Sequence, residues 1–203
     1  MATSRLEAFS DGVLAIIITI MVLELKVPQG HDLSALWHTA GTSLLTYLLS
    51  FVYVGIYWNN HHHMFALTHE ITGGVLWANL HLLFWLSVFP FTTAWLAQSD
   101  LARTPLMVYG VNQLAAAIAY FVLQTAILRG QPADSALARA IGPDLKGKLS
   151  PVLYLCGIVV AGFSADHHGP ATWAGLAFYV AVAVNWLVPD RRIERVLADE
   201  TPP

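Results

Sequence analysis

Six long apolar stretches separated by short polar segments set the pattern of this chain of 203 residues. The stretches lie near residues 8–27, 36–58, 74–97, 105–128, 149–165 and 170–188. A helix needs about 20 apolar residues to cross a bilayer, and each stretch comes near that length. The connections between them are too short for a second folded domain. The pattern therefore predicts an all-α bundle of six transmembrane helices, with residues 1–203 forming one unit.

The composition points to the same class of protein. Only 11% of the residues are charged, whereas a typical soluble domain carries roughly 25%. The ten Lys and Arg residues are scattered along the chain, so they form no basic patch of the kind that binds DNA or RNA. The expected partner is the lipid bilayer and not a nucleic acid.

The Lys and Arg residues in the connections predict how the chain sits in the membrane. Eight of the ten lie at the end of the bundle that holds both termini, and only Lys26 and Arg103 lie at the other end. Cytoplasmic loops carry the excess of positive charge, so both termini are expected in the cytoplasm of a bacterial cell. The longest connection, after residue 128, is expected to contain a short surface helix. The eight basic residues are Arg5, Arg129, Arg139, Lys146, Lys148, Arg191, Arg192 and Arg195.

The first apolar stretch contains a narrow stripe of residues on one helix face. At about 100° per residue, with Ile16 at zero, Thr19, Gly12 and Leu23 fall at about 300°, 320° and 340°. The stripe could pack against another helix, with the Thr19 hydroxyl bonded back to its own backbone. Alternatively, it could line a symmetric pore. The angles establish only that the four residues share a face.

Two polar residues at the start of this stretch lie off the stripe. Ser10 falls at about 120° and Asp11 at about 220°. A polar group in hydrocarbon is costly unless it is paired, which makes each such residue a candidate for a functional role. If the stripe lines a pore, Asp11 is expected to be held inside the subunit by polar partners.

A histidine-rich block, YWNNHHHMF, begins at the end of the second stretch and covers residues 57–65. Neutral imidazole is a common metal ligand. However, consecutive side chains on a helix point about 100° apart, and a metal pair on one face needs i, i+4 spacing. No metal is therefore expected, and hydrogen bonding is the expected role of these histidines. A membrane metalloenzyme that uses them stays open as an alternative.

Three segments of the chain resemble the TMEM175 family of potassium-permeable channels. The opening RLEAFSD matches that family's R-x-x-x-F-S-D motif through Arg5, Phe9, Ser10 and Asp11. The segment NLHLLFWLSVFPFTT resembles its third span, with Asn79, Pro90 and Thr92 in matching positions. The block WNNHHHMF is similar to its W-x-N-H-H-x-x-F motif, with matches at Trp58, Asn60, His61, His62 and Phe65.

The resemblance implies a six-helix unit that assembles as a homotetramer around a central pore lined by the first helix. In that family, hydrophobic layers with a hydroxyl layer between them form the narrowest part. The corresponding residues here are Ile16, Thr19 and Leu23, and Gly12 lies on the same face. The permeant ions would be potassium and other monovalent cations. No cofactor and no enzymatic activity are expected.

Eight of the matched residues are expected to form a structural network that supports the pore helix. The network would consist of Arg5, Phe9, Ser10, Asp11, Trp58, Asn60, His61 and His62.

The sequence contains no T-V-G-Y-G segment, so the carbonyl-ring filter of ordinary potassium channels is not expected. A modest preference for potassium over sodium is expected instead. A small cation transporter stays open as a second alternative. Such transporters tend to have broken helices and repeated halves, and the sequence predicts neither.

Overall fold

The computed structural model describes residues 3–68, 70–132, 134–142, 144–165 and 167–187, and every regular element in these ranges is a helix. Six spans are long and apolar enough to cross a membrane, which confirms the predicted all-α bundle. In chain order the helices are α1 (Thr3–Leu23), α2 (Leu33–Ala66), α3 (Gly73–Ser87), α4 (Phe89–Gln98), α5 (Arg103–Leu128), α6 (Ala136–Ile141), α7 (Leu145–Gly162) and α8 (Pro170–Leu187).

Short polar residues begin four of these helices, as the free N–H groups of a first turn require. The Asp32 carboxylate accepts a hydrogen bond from the Ala35 N–H at 2.7 Å and begins α2. The Thr72 hydroxyl begins α3 in the same way. The Ser135 hydroxyl accepts from the Ala138 N–H at 3.3 Å and begins α6. Asp144 begins α7 and accepts from the Gly147 N–H at 2.9 Å.

The third predicted span is not one continuous helix. It divides at Val88 into α3 and α4, with Pro90 in the first turn of α4. Proline has no N–H to donate to the preceding turn, whereas it is well tolerated in a first turn, so the break falls just before it. The prediction of unbroken helices, one of the two arguments against a transporter, is therefore wrong at this point.

Several helix ends differ from the predicted limits. The first helix ends at Leu23 and not near residue 27, while α2 continues to Ala66 and carries the whole histidine-rich block in its last turns. The predicted helix in the longest connection is α6, although its Leu137 is buried. Residue 188 and the basic residues Arg191, Arg192 and Arg195 lie outside the described residues.

The helices pack in two groups that share α5. In one, α7 and α8 pack against each other and against α5, and α1 lies against α2, α3 and α4 in the other. Tyr179 on α8 is fully buried and lies over Gly110 and Gly157, where a Cβ atom would clash with its ring. Glycine at these two positions lets α5, α7 and α8 approach closely.

Candidate pore-lining face and its supporting network

The first helix has one buried face and one exposed face. Its buried side chains fall between about 80° and 160° on the helical projection that places Ile16 at zero. They pack against α2, α3 and α4. No other helix of the described chain therefore covers the side around 300°. The buried residues are Leu6, Ser10, Leu14, Ile17 and Met21.

The predicted stripe lies on the exposed side. Ile16 is 58% exposed and Leu23 80% exposed. Thr19 is exposed as well, and its hydroxyl donates to the Ile16 carbonyl at 2.9 Å. Gly12 faces open space, since a Cβ atom there would have nothing within 4 Å. The four residues therefore share a surface that only lipid or another molecule can cover.

The exposed face is wider than the predicted stripe. It extends from Asp11 at about 220° to Ile20 at about 40°, which places the stripe near its centre. Ile20 and Val22 are each 43% exposed and were not among the predicted candidates. Ile20 lies only about 40° from Ile16 on the helical projection. A predicted stripe extended by about 40° on that side would have included it.

A buried hydrogen-bonded chain joins α1, α2 and α3. The Asn79 amide nitrogen donates to the Ser10 hydroxyl at 3.0 Å, and Ser10 donates to the Leu6 carbonyl at 2.9 Å. The Asn79 amide oxygen lies 2.8 Å from His61 Nε2, which donates if that nitrogen carries the proton. Ser10 and Asn79 are fully buried and His61 is 2% exposed. Sequence reasoning named Asn79 only as a family match and missed its central position.

Asp11 is held by a second, more exposed contact. The Trp58 indole donates to its carboxylate at 3.0 Å, and the Trp58 ring stacks on His62 with centroids 6.3 Å apart. Asp11 is exposed on the single chain, contrary to the expectation that it lies inside the subunit. Ser10 and Asp11 are consecutive, and the rotation of about 100° between neighbouring helix positions carries one side chain inward and the other to the surface.

Three of the predicted network residues lie outside these contacts. Arg5 is exposed and makes no hydrogen bond or ion pair with a described residue, and Phe9 is 52% exposed. The Asn60 amide donates to the Ile56 carbonyl of its own helix at 2.8 Å. These residues share the end of the bundle with the network but do not join it within one chain.

The histidines do not gather into a metal site. The described part of the chain holds no group of three or more His, Cys, Asp or Glu residues placed to bind a metal ion. His61 is engaged with Asn79, and His62 points to the surface. What the arrangement can do is fix the rotation of α1, so that its Thr19 face stays uncovered.

Comparisons with known proteins agree with this description. The family model for the endosomal/lysosomal potassium channel TMEM175 matches residues 5–90, which include α1 and the network. A potassium channel of Chryseobacterium sp. is 47% identical over 199 residues, which cover 98% of this chain and all of that protein. A potassium channel of Streptomyces collinus is 35% identical over 128 residues, 60% of this chain and 62% of that protein.

A solved structure has the same fold. The crystal structure of a lysosomal potassium-selective channel TMEM175 homolog from Chamaesiphon minutus superposes with a TM-score of 0.74 at 31% identity. The match covers 93% of this chain and 97% of that one. These relatives are all named as channels and not as enzymes, in agreement with the prediction that the chain has no enzymatic activity. On the strength of the full-length relative, the chain belongs to the TMEM175 family.

Proposed function

We propose that four copies of this chain form a potassium-permeable cation channel with α1 of each copy lining the central pore. The observation that carries the proposal is the uncovered face of α1. Its buried side is fixed by packing and by the Ser10–Asn79–His61 chain, so its rotation in the subunit is determined. The opposite side presents Ile16, Thr19 and Leu23 outward.

The names of the relatives support the choice of ion. The full-length Chryseobacterium relative is named a potassium channel, and the Chamaesiphon structure is named a potassium-selective channel. The tetramer is the assembly that the family resemblance implies. An uncovered helix face would turn toward the symmetry axis in such an assembly, with sister helices at its flanks.

The pore would consist of alternating chemical layers. With a rise of 1.5 Å per residue, rings of Ile16, Thr19 and Leu23 would lie about 4.5 and 6 Å apart along the axis. Narrow apolar rings exclude hydrated ions. The Thr19 proton is used in the bond to the Ile16 carbonyl, which leaves the hydroxyl lone pairs available to a partly dehydrated cation. Four hydroxyl oxygens without a carbonyl filter favour a modest preference for potassium over sodium.

The remaining predicted residues receive supporting roles. Gly12 would line the inner part of the same face, and its missing side chain would keep that part wide. Asp11, Trp58 and His62 would hold the inner end of α1 beside the buried chain. Arg5 and Phe9 lie at about 340° and 20°, near the stripe, and would face the inner entrance.

The membrane setting follows from the same reasoning. The chain is an integral membrane protein by family and by its six apolar spans. We place it in a bacterial cell membrane as one unit, with both termini in the cytoplasm. Potassium and other monovalent cations are the permeant species, and no cofactor is involved.

A flux assay with paired α1 variants tests the pore assignment. Liposomes reconstituted with the wild-type chain should release potassium down a gradient. Ile16→Asn should raise that flux, because a polar ring no longer excludes water from the constriction. The matched control is Val22→Asn, which makes a similar exchange at an exposed position of α1 at about 240°, away from the stripe. Its flux should stay at the wild-type rate.

Two outcomes would overturn the proposal. Absence of potassium flux from correctly folded wild-type protein would remove the channel function. Equal effects of Ile16→Asn and Val22→Asn would remove the stripe from the ion path. The assembly is tested separately by native mass spectrometry in detergent, where a mass of four chains is expected and a monomer would contradict the proposed pore.

A further inference from the structure

A cavity of about 50 Å³ lies between α2, α5, α7 and α8, which contribute its described lining together with Asp144. It is therefore separate from the exposed face of α1. It lies toward the end of the bundle where α5 ends and α7 begins, since Gln124 and Asp144 both line it. None of the roles assigned to the pore or to its supporting network uses it.

Aromatic rings form much of the cavity wall. Tyr57 and Tyr120 meet edge to face with centroids 6.0 Å apart, and Tyr120 meets Trp186 in the same way at 6.4 Å. Two hydrogen bonds fix the rings of Trp186 and Tyr120. The Trp186 indole donates to the Ser150 hydroxyl at 2.7 Å, and the Tyr120 hydroxyl donates to the Asn60 carbonyl at 3.4 Å. The wall is thus an ordered aromatic surface.

One carboxylate, that of Asp144, also lines the cavity. Asp144 is partly buried and precedes the first turn of α7. Two neutral groups donate to its oxygens, the Gly147 N–H at 2.9 Å and the Gln124 amide at 3.3 Å. These bonds orient the carboxylate without cancelling its negative charge.

We propose that this cavity binds a small organic ammonium ion. Aromatic rings attract cations through their negative faces, and quaternary ammonium groups are recognised by aromatic cages of this kind. The Asp144 carboxylate, which lines the same cavity, offers an anionic partner. A single water needs roughly 10–15 Å³ of such space, so the cavity has room for about four waters or a cation of similar size. Tetramethylammonium is a probe of suitable size and charge.

Thermal unfolding of the full chain in detergent tests the proposal. Tetramethylammonium chloride should raise the unfolding temperature in a saturable way, since a ligand that binds only the folded state stabilises it. Potassium chloride at equal ionic strength controls for salt, and tert-butanol is a neutral control of nearly the same shape. Neither should produce a saturable rise.

Three variants test where tetramethylammonium binds. Asp144→Asn removes the charge but keeps an equally good helix-capping side chain, and it should weaken tetramethylammonium binding about tenfold. Tyr120→Leu should weaken it through loss of the aromatic wall. Ile16→Asn, on the proposed pore face, should leave it unchanged. Saturation-transfer NMR on the probe gives the same affinities if a variant has lowered thermal stability.

Three results would overturn the proposal. The first is the absence of saturable binding to the wild-type chain. The second is equal binding of tetramethylammonium and tert-butanol, which would show that the cavity does not select for positive charge. The third is binding that Asp144→Asn and Tyr120→Leu leave intact while Ile16→Asn weakens it, which would place the cation in the pore. The potassium flux of the wild-type chain is measured independently, so neither proposal depends on the other.

Discussion

The two faces of α1 differ in the contacts that they make within the subunit. The buried face uses directed contacts, with Ser10 bonded to Asn79 and apolar side chains such as Leu14 packed around it. The centre of the exposed face has large apolar side chains around Thr19, whose hydroxyl bonds only within its own helix. A single helix thus carries one surface that fixes its rotation and another that the subunit itself leaves uncovered.

We expect this difference between the two faces to separate residues that determine folding stability from residues that determine ion conduction. A residue on the buried face contributes to folding, so its replacement should lower the unfolding temperature whatever ion passes. A residue of the stripe at the centre of the exposed face has few partners within the chain, so its replacement should change flux at nearly constant stability. Four pairs of variants test this separation, in order of decreasing expected effect.

The largest effect is expected from one chemical change made on each face. Leu14→Asn places an amide at a site only 2% exposed, while Ile16→Asn places it at a site 58% exposed. Losing a buried leucine costs about 2–5 kcal/mol, and an unpaired amide adds to that cost. Leu14→Asn should therefore abolish the folded peak in size-exclusion chromatography, whereas Ile16→Asn should keep it. Similar losses in both variants would refute the division of α1 into two faces.

A smaller loss of folding stability is expected when Asn79, at the centre of the buried hydrogen-bonded chain, is replaced. Asn79→Leu leaves the Ser10 hydroxyl and the His61 imidazole without their partner, at a cost of about 1–3 kcal/mol. Asn60→Leu is the control, because its amide bonds only to its own helix. Unfolding midpoints in detergent should fall clearly for Asn79→Leu and little for Asn60→Leu. An equal fall in both would mean that Asn79 does not hold α1.

The exposed contact between Asp11 and Trp58 should contribute less to the free energy of unfolding. A double-mutant cycle with Asp11→Ala and Trp58→Phe should give a coupling of about 0.5 kcal/mol, at the low end for a hydrogen bond because water competes for both groups. Asp11→Ala should also reduce the yield of assembled protein in detergent and leave ion selectivity unchanged. Altered selectivity with intact assembly would instead place Asp11 in the ion path.

The smallest effect of the four is expected from replacing Thr19, and it should appear in ion preference and not in stability. Thr19→Val keeps the shape of the side chain and removes the hydroxyl, and Thr19→Ser keeps the hydroxyl and removes a methyl group. Reversal potentials under bi-ionic potassium and sodium should show a lower potassium preference for Thr19→Val and an unchanged one for Thr19→Ser. Equal potentials for the three proteins would exclude the hydroxyl from selectivity. Unfolding temperatures should be the same in all three.

Much of the fold could be predicted from the sequence because a bilayer restricts the possible structures. Apolar stretches of sufficient length in a weakly charged chain must form helices there, so the six spans followed from hydropathy alone. The helix ends were predicted less accurately. Polar residues such as Asn60 and His61 look like a boundary in a hydropathy pattern, although they continue α2 inside the subunit.

The candidate site was predictable only in part. Helical periodicity identified Ile16, Thr19 and Leu23 as one face, because positions along a single helix are fixed by its own geometry. The partner of Ser10 could not be found in this way. Asn79 is 69 residues away along the chain, and only the packing of α3 on α1 brings the two together. The break at Val88 was visible as Pro90, but proline alone does not distinguish a kink from a new helix.

The length of α2 has a consequence for the membrane around it. Its 34 residues extend about 51 Å, and a bilayer core of about 30 Å holds only about 21 residues of a helix tilted by 20°. Between three and four turns must therefore extend into the headgroup layers or beyond. The histidine-rich block occupies one such end. A thicker bilayer is expected to draw that end inward and a thinner one to release it, so lipid composition would act on the residues that hold α1.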